Sequence, residues 1–409
     1  MLSYLVALTG AALVAAAPAP ATPVQPRALT IPSLVSATKV AITIEPNYQR
    51  DSCVTADHLV GGRALWLCRD TELLQDQNIL QVDGFISSTA SWSNQNASNL
   101  PDLVPIPPPS EQGQLNVTDP YTLQLTQYGG DPPSGAYFPE TPSECGASGG
   151  SCSNGTRFAI WPDAPAYVTD VASDGTTTMY MYMTLTRQLK NIDTEPPTSL
   201  YKLVYTTGGD ADALPEQTLI GQDFFPEGTY NYGAYGGFIG QLDGLLYLYG
   251  MANDGTVGLA RVALADIEDS SKYQFYVGGL WVSTIPAIDD TAAEVYVGGA
   301  GGQGTFFYSE LYAQYVLLAQ VNGFGMVISA STSLLPEGPW TAAETLTYLD
   351  PGNDITYSFA AHPEMNTNPN QIYASYTQIN YVHPDANRST ALGKEEFYAQ
   401  PLYLLEFGL

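Results

Sequence analysis

The chain has 409 residues and carries 41 Asp and Glu against 13 Lys and Arg, a formal net charge of −28 at pH 7. A surface of that charge repels nucleic-acid phosphates and anionic lipid, which excludes both as partners. The 28 tyrosines, 38 glycines and 30 prolines, with only 13% charged residues, favour strands and turns over helices and predict an all-β fold.

The first segment in chain order is an apolar run over residues 2–16 that ends in small residues. It is too short to cross a bilayer comfortably, so residues 1–16 are predicted to be a secretory signal peptide. An uncleaved anchor is the alternative, because no Lys or Arg precedes the run. Residues 17–28 are rich in Ala and Pro and are expected to be disordered, and residues 29–409 to form one domain. We therefore expect a secreted, extracellular monomer with no membrane contact after cleavage.

Sequons and cysteines are independent signs of secretion. Each Asn-X-Ser/Thr sequon predicts an exposed, glycosylated loop; the sequons lie at Asn96, Asn116, Asn154 and Asn387. Four cysteines allow three connectivities. We favour the local pairs, Cys53 with Cys68 and Cys145 with Cys152, because the first would join adjacent strands and the second would close a Gly/Ser loop. The spacing does not fit a zinc site, so disulfides in an oxidising compartment are expected.

A short aromatic or aliphatic run recurs five times along the chain. The copies lie at residues 64–67, 179–183, 245–249, 315–318 and 372–376, with centres 57 to 115 residues apart. One strand unit cannot bury its apolar face alone, so repetition at this interval predicts stacked or radially arranged β-units. We predict a five-bladed β-propeller in which each run is the second strand of a blade.

The predicted blades cover Arg50–Trp92, Phe158–Tyr205, Tyr230–Ile285, Gly301–Trp340 and the chain from Tyr357 onward. Residues 93–157 contain proline clusters and three sequons, and we interpret them as a long loop insertion that explains the doubled first interval. A degenerate copy near residues 121–125 would give six blades, the less favoured count. The strand at residues 402–407 is expected to close the ring against the N-terminal strand, which removes an exposed sheet edge.

The first strand of each blade lines the channel of a propeller, and the second strand follows one hairpin later. Polar or aromatic residues precede the centres of the five runs by 11 to 18 residues: Asp51, Asp163, Tyr235, Gln303 and His362. We expect these side chains to converge at one mouth of the channel. Two carboxylates, a phenol, an amide and an imidazole would suit a polyhydroxylated ligand. Trp161 could stack on a sugar there, although packing between blades is the alternative.

Four short segments resemble a known group of proteins: Arg50-Asp51, residues 62–71, Gly338-Pro339-Trp340 and Ala361-His362-Pro363-Glu364. They are similar to secreted fungal and bacterial propeller proteins of the DUF4185 type, and to the wider group of five-bladed furanosidases that includes arabinanases and fructan hydrolases. The similarity covers most of residues 45–380. It implies a five-bladed propeller that cleaves glycosidic bonds with carboxylates at the channel mouth.

The resemblance also implies roles for single residues. Asp51 would be the nucleophile or general base, and Asp163 would orient the substrate and tune a neighbouring pKa. The acid expected on the third blade is absent, because Tyr235 stands in its place; Glu227 and Asp70 are the candidate substitutes. The expected substrate contacts are Arg50, Trp161, Tyr235, Gln303 and His362.

We therefore expect a glycoside hydrolase that acts on plant or microbial polysaccharide by carboxylate acid–base chemistry. One alternative is a propeller lyase acting on uronate-containing glycans, with His362 or Tyr235 as base and Arg157 or Arg50 neutralising the uronate. The other is a secreted sugar-binding protein without catalysis. No cofactor or metal is expected, although the resemblance allows a structural cation near the channel axis, for which the sequence shows no ligand set.

Overall fold

The computed structural model describes residues 28–43, 48–74, 82–106, 119–126, 128, 135–188, 196–210, 213–295, 303–349, 355–382 and 395–409. The predicted signal peptide, Asn116, Asn387 and most of the glycine run before Gln303 lie outside these ranges. The described residues form β-strands and short 3₁₀ turns, and the all-β prediction is confirmed. No helix in these ranges is long and apolar enough to cross a membrane.

The strands form a propeller-like ring of sheets that we divide into five blades, the first of which combines two three-stranded sheets. The first blade contains β2 (Tyr48–Arg50), β3 (Cys53–Thr55), β4 (Ala64–Cys68), β5 (Thr71–Leu74), β6 (Val82–Ile86) and β7 (Thr89–Ser93), and the second contains β10 (Arg157–Trp161), β11 (Tyr167–Val171), β12 (Thr176–Gln188), β13 (Thr198–Thr206) and β14 (Glu216–Phe225). The third contains β15 (Gly236–Ile239), β16 (Leu245–Met251), β17 (Val257–Ala263), β18 (Gln274–Val277) and β19 (Leu280–Val282), and the fourth β20 (Gly304–Ser309), β21 (Gln314–Gln320), β22 (Val327–Ser333) and β23 (Glu344–Tyr348).

The fifth blade joins both ends of the described chain. It contains β24 (Ile355–His362), β25 (Gln371–Val382), β26 (Glu395–Ala399), β27 (Pro401–Gly408) and β1 (Ser33–Thr43), with β8 (Leu103–Pro105) and β9 (Tyr121–Leu123) at its edge. Strand β1 pairs antiparallel with β27, as the sequence predicted, and β9 adds to β1 in parallel. Residues 121–123 therefore extend the sheet of the fifth blade and do not form a sixth blade.

Each of the five recurring runs is the second strand of its blade, as predicted, and lies next to the strand that lines the channel. The whole of β4 and the whole of β21 are buried, because each second strand is covered by a neighbouring blade on both faces. The predicted ends of the second and fourth blades were too short. Strands β14 and β23 lie farther out and are largely half-buried or exposed, so they lack the apolar run that marks a second strand.

Contacts between neighbouring blades close the ring. The rings of Tyr249 and Phe306 stack 4.0 Å apart between the third and fourth blades. The N–H of Ala361 donates to Thr305 Oγ1 (2.9 Å) between the fourth and fifth. Asp57 joins the first blade to the second, because its carboxylate accepts from the N–H of Val168 at 2.7 Å. Both aromatic packing and polar contacts thus hold neighbouring blades together.

The first blade is cross-linked beside its channel strand. Cys53 and Cys68 are register partners on β3 and β4 and form a disulfide, and Cys145 pairs with Cys152, so both predicted pairs are confirmed. The first disulfide lies two residues from Asp51 and one residue from Arg69. It therefore fixes the two strands at the point where both turn toward the channel mouth.

We expect the double variant Cys53→Ala/Cys68→Ala to lose about 2–4 kcal/mol of unfolding free energy, because removing the cross-link frees the unfolded chain. Urea unfolding followed by tryptophan fluorescence measures this loss. An unchanged midpoint would mean that the disulfide does not stabilise the first blade.

Candidate functional site

Five side chains gather where the channel strands begin; we call them the mouth cluster: Asp51, Arg69, Asp163, Gln303 and Tyr357. Asp51 follows β2, Asp163 follows β10, Gln303 precedes β20, and Tyr357 lies in β24, so four blades contribute. Arg69 comes from the turn between β4 and β5. Its N–H donates to the backbone oxygen of Asp51 (2.9 Å), and the N–H of Asp51 donates to that of Asp70 (2.9 Å).

Arg69 organises the cluster. Its Nε and Nη2 both contact Asp163 Oδ1 in an ion pair, and Gln303 Nε2 donates to the same oxygen at 3.2 Å. The guanidinium carbon lies 5.1 Å from the centre of the Trp161 ring. Both partners of the ion pair retain some solvent access, with 17% of the Arg69 side chain and 20% of the Asp163 side chain exposed.

Asp51 is the second carboxyl group of the cluster. It accepts hydrogen bonds from Ser52 Oγ (2.5 Å) and from the Tyr357 hydroxyl. Burial raises the pKa of Asp51 above its usual range, while the charge of Arg69 and these two hydrogen bonds oppose the rise. Burial raises the pKa of Asp163 as well, the Asp51 carboxylate adds to that rise, and Arg69 opposes it. One guanidinium thus faces two coupled acids.

Two bulges shape the floor beneath Asp51. Ser52 has φ of 47° and Ser358 has φ of 59°, both in the left-handed region that non-glycine residues seldom adopt. Their hydroxyls meet at 2.6 Å across the boundary between the first and fifth blades, and the N–H of Ser52 donates to Thr377 Oγ1 at 2.7 Å. These contacts hold the two distorted strands in place, so Asp51 and Tyr357 stay within hydrogen-bonding distance.

Asp70 lies beside the cluster but is committed to another cation. Arg157 donates to both of its oxygens, at 3.1 and 2.6 Å, and Trp161 Nε1 donates to Oδ1 at 2.9 Å. The Asp70–Arg157 pair fixes the Trp161 ring through this bond. The same ring lies near the guanidinium of Arg69, which pairs with Asp163, so Trp161 lies between Arg69 and Asp70. We interpret Asp70 as a positioning group in this structure.

Glu227 is placed farther out. Trp161 is the register partner of Thr184, Thr184 of Thr198, and Thr198 of Phe225, so Phe225 lies three strands outward from Trp161, about 14 Å at ordinary strand spacing. Glu227 is exposed in the turn that follows. The structure therefore does not bring it to the mouth cluster.

Arg50 and Tyr235 are buried. Arg50 donates to Ser91 Oγ and to the backbone oxygen of Thr126, inside the first blade and its insertion. The Tyr235 ring packs edge-on against Phe306, and burial raises the pKa of its hydroxyl well above the usual value. The third blade therefore presents a buried phenol and not a carboxyl group at this level.

His362 lies at the far end of β24, away from the mouth cluster. It is fully buried, and its ring nitrogens bond Thr55 Oγ1 and Ser375 Oγ, both at 2.8 Å. Burial lowers the pKa of His362 to about 3. Thr55 also hydrogen-bonds Glu364, whose pKa burial raises to about 8. The expected convergence of five channel residues at one mouth is therefore corrected: His362 belongs to a buried network between the first and fifth blades.

Arg69 and Tyr357 are the cluster members that sequence reasoning did not propose as site residues. Arg69 stands directly before Asp70 in the segment that carries the resemblance, but nothing in that segment shows that its side chain reaches the second blade. Tyr357 opens the fifth blade, and the bulge that turns it toward Asp51 has no sequence signature. Among the described residues, no group of three or more His, Cys, Asp or Glu side chains could hold a metal ion, so a channel cation finds no ligand set there.

Comparisons with known proteins concern family and fold. Residues 219–389, less than half of the chain, match the family described as a domain of unknown function, DUF5005. No curated protein is significantly similar in sequence. A Bacteroides ovatus protein provisionally described as a hydrolase has a similar structure, with TM-score 0.57, 16% identity, and coverage of 88% of this chain and 87% of that one. At this identity the similarity supports the fold alone.

Two further solved structures share a lower similarity. A family 117 glycoside hydrolase from Zobellia galactanivorans gives a TM-score of 0.42 at 10% identity, covering 92% of this chain and 91% of that one. An inulosucrase from Halalkalicoccus jeotgali gives 0.45 at 12% identity, covering 89% and 83%.

We expect Glu364→Gln to change how stability depends on pH. The folded state holds the Glu364 proton up to about pH 8, whereas the unfolded chain releases it near its usual pKa. Stability from this group is therefore complete at low pH and is lost as pH rises, by roughly 1.4 kcal/mol per pH unit at most. His362 acts in the opposite direction, because its lowered pKa costs stability as pH falls below about 6.5.

Urea unfolding between about pH 6.5 and 8 isolates the Glu364 effect as the difference between the two proteins, because both share the titration of His362. The parent should lose stability across this window, and Glu364→Gln should lose markedly less. Parallel curves for the two proteins would contradict the assignment.

Proposed function

We propose that this protein is a secreted carbohydrate-active hydrolase that cleaves glycosidic bonds of a plant or microbial polysaccharide at the mouth cluster. The observation that carries the proposal is the convergence of Asp51 and Asp163, from the first and second blades, on one guanidinium at the start of the channel strands. Glycoside hydrolysis uses a pair of carboxyl groups held on either side of the scissile bond.

The two carboxyl groups are suited to different tasks. Asp163 is held by Arg69 and Gln303 through one oxygen, so its position is fixed and it can orient sugar hydroxyls. Asp51 has no direct hydrogen bond from a guanidinium among the described contacts, and burial raises its pKa. A base of raised pKa accepts a proton more effectively at mildly acidic pH. Asp51 is accordingly the group that takes the proton of the attacking water or attacks the anomeric carbon. Asp163, whose pKa burial also raises, is the carboxyl group of the cluster that would protonate the leaving oxygen.

Aromatic surface completes the binding site. Trp161 is half-buried and held by Asp70 and Arg69, and Tyr357 is half-buried beside Asp51. Rigid aromatic faces next to carboxylates and amides provide both the apolar and the polar contacts that a sugar ring needs.

Secretion belongs to the same proposal. The N-terminal apolar segment, the disulfides and the sequons support it, and Asn96 and Asn154 lie exposed in turns. The likeness to DUF4185-type and five-bladed furanosidase proteins, a fungal source and a monomeric state stay proposals of the sequence. That likeness favours furanosides such as arabinan or fructan as substrates.

A secreted sugar-binding protein without turnover is the second candidate. It is favoured by Tyr235, which stands at the third-blade position where an acid was expected, and by the Arg157 pair that occupies both oxygens of Asp70. The lyase alternative has less support. His362 is bonded on both ring nitrogens inside the protein, and Arg50 is buried away from the mouth.

We expect Asp51→Asn to lower kcat by roughly 10²–10⁴-fold, because an amide cannot accept the proton in the transition state. Asp163→Asn should cause a comparable loss and also raise KM, since Arg69 would lose its ionic partner and the cluster its fixed geometry. Reducing-end release from arabinan, fructan and galactan measures the rates, and ultraviolet absorbance of uronate-containing gums detects any lyase product.

Asp223→Asn is the matched control, because Asp223 is exposed on the outer strand β14. Its activity should equal that of the parent. If Asp51→Asn retained the parent rate, Asp51 would have no catalytic role; if the parent bound glycan without releasing reducing ends, the binding-protein candidate would replace the hydrolase.

A further inference from the structure

A second site lies at the other end of the channel. A cavity of about 790 Å³ is lined by residues from the channel strands of all five blades, beginning below the mouth cluster. We call it the opposite-face cavity. Its lining includes Thr55, Asp57, Phe306 and Glu364, and none of the five mouth-cluster residues. Its volume falls within the range of pockets that bind small organic ligands.

The charge of this cavity restricts what it can bind. Its lining carries the carboxyl groups of Asp57, Glu310 and Glu364, whereas His58 is its only basic side chain among the described residues. The Asp57 carboxylate is already fixed, since it accepts from the N–H of Val168 and lies 3.1 Å from His58 Nδ1. Such a lining opposes phosphate, sulfate and uronate groups.

Glu364 supplies an unsatisfied polar group. Its side chain is 3% exposed, and Oε1 has no hydrogen-bond partner among the described residues, with His362 Nδ1 at 3.8 Å. The carboxyl group also bonds the Thr55 hydroxyl. A buried polar atom without a partner costs about 1–3 kcal/mol. A small rotation of the carboxyl group toward a ligand hydroxyl in the cavity would remove that cost.

The protonation state of Glu364 suits a hydroxylated ligand. The charged and titratable groups that face it are His362, which burial keeps neutral, and the Asp57–His58 pair. Burial raises the pKa of Glu364 to about 8, so below that pH it is a neutral acid that can donate and accept at once.

We propose that the opposite-face cavity binds a neutral mono- or disaccharide through Glu364, at a site separate from the mouth cluster. The unpartnered Oε1 and the absence of Lys and Arg from the described lining carry this assignment. It goes beyond the proposed function, because binding here requires neither Asp51 nor cleavage of the sugar.

Calorimetry and saturation-transfer NMR on the full-length mature protein test the proposal. The probes are arabinose, galactose and sucrose, with galacturonate as the anionic comparison. Galacturonate should bind at least about tenfold more weakly than galactose, because the acidic lining repels its carboxylate. Asp51→Asn should bind the neutral probes as the parent does.

Glu364→Leu should weaken binding of the neutral sugars by about tenfold or more, since the acceptor is removed, and Glu364→Gln should remain within about threefold of the parent. Gln241→Trp is a second test that leaves the core intact, because Gln241 is exposed at the rim of the cavity. The indole should obstruct entry and cause a similar loss.

Several results would overturn the proposal. One is the absence of saturable binding of any neutral probe at millimolar concentration. Another is binding that Asp163→Ala abolishes while Glu364→Leu and Gln241→Trp leave it unchanged, which would place the sugar at the mouth. Because none of these measurements depends on turnover, loss of hydrolysis in the assays above would leave this inference standing.

Discussion

The boundary between the first and fifth blades is the constraint on which the rest of the structure depends. Hydroxyl groups and one imidazole meet there without solvent: Ser52 with Ser358 and Thr377, and Thr55 with His362. Buried polar groups are costly unless each finds a partner. Their pairing therefore fixes the orientation of the first blade relative to the fifth. The ring also closes in this fifth blade, where β1 pairs with β27.

Both ends of the channel are set by this boundary. At the mouth, the bulges at Ser52 and Ser358 bring Asp51 to Tyr357. Toward the opposite face, the hydroxyl of Thr55 links His362 to Glu364. The two ends differ in charge. The mouth holds a guanidinium between carboxylates and can stabilise ionised acids, whereas the lining of the opposite-face cavity carries no Lys or Arg among the described residues and favours a protonated Glu364.

Much of the fold could be predicted from strand patterns. A second strand such as β21 is covered on both faces, so all its residues are apolar or paired, and that burial leaves a run visible in the sequence. The outer strand β23 is covered less completely, and its pattern was too weak to place the end of the fourth blade. The disulfide pairs were predictable because each joins cysteines that are close in the sequence, so the pairing does not depend on how distant segments pack.

The sequence by itself determined the blade count, the second strands, the ring closure and the presence of Asp51, Asp163 and Gln303 at the start of three channel strands. Only the tertiary structure decided which groups meet. Arg69 joins Asp163 across 94 residues of sequence, and Thr55 joins His362 across 307. The spacing between two positions in the sequence predicts that a side chain lies near the channel. It does not predict how far along the channel axis the side chain lies or which group it contacts. Bulges and the packing of neighbouring blades decide both properties. His362 was predicted to contact a ligand, but this packing buries it between the first and fifth blades, where it bonds Thr55 and Ser375.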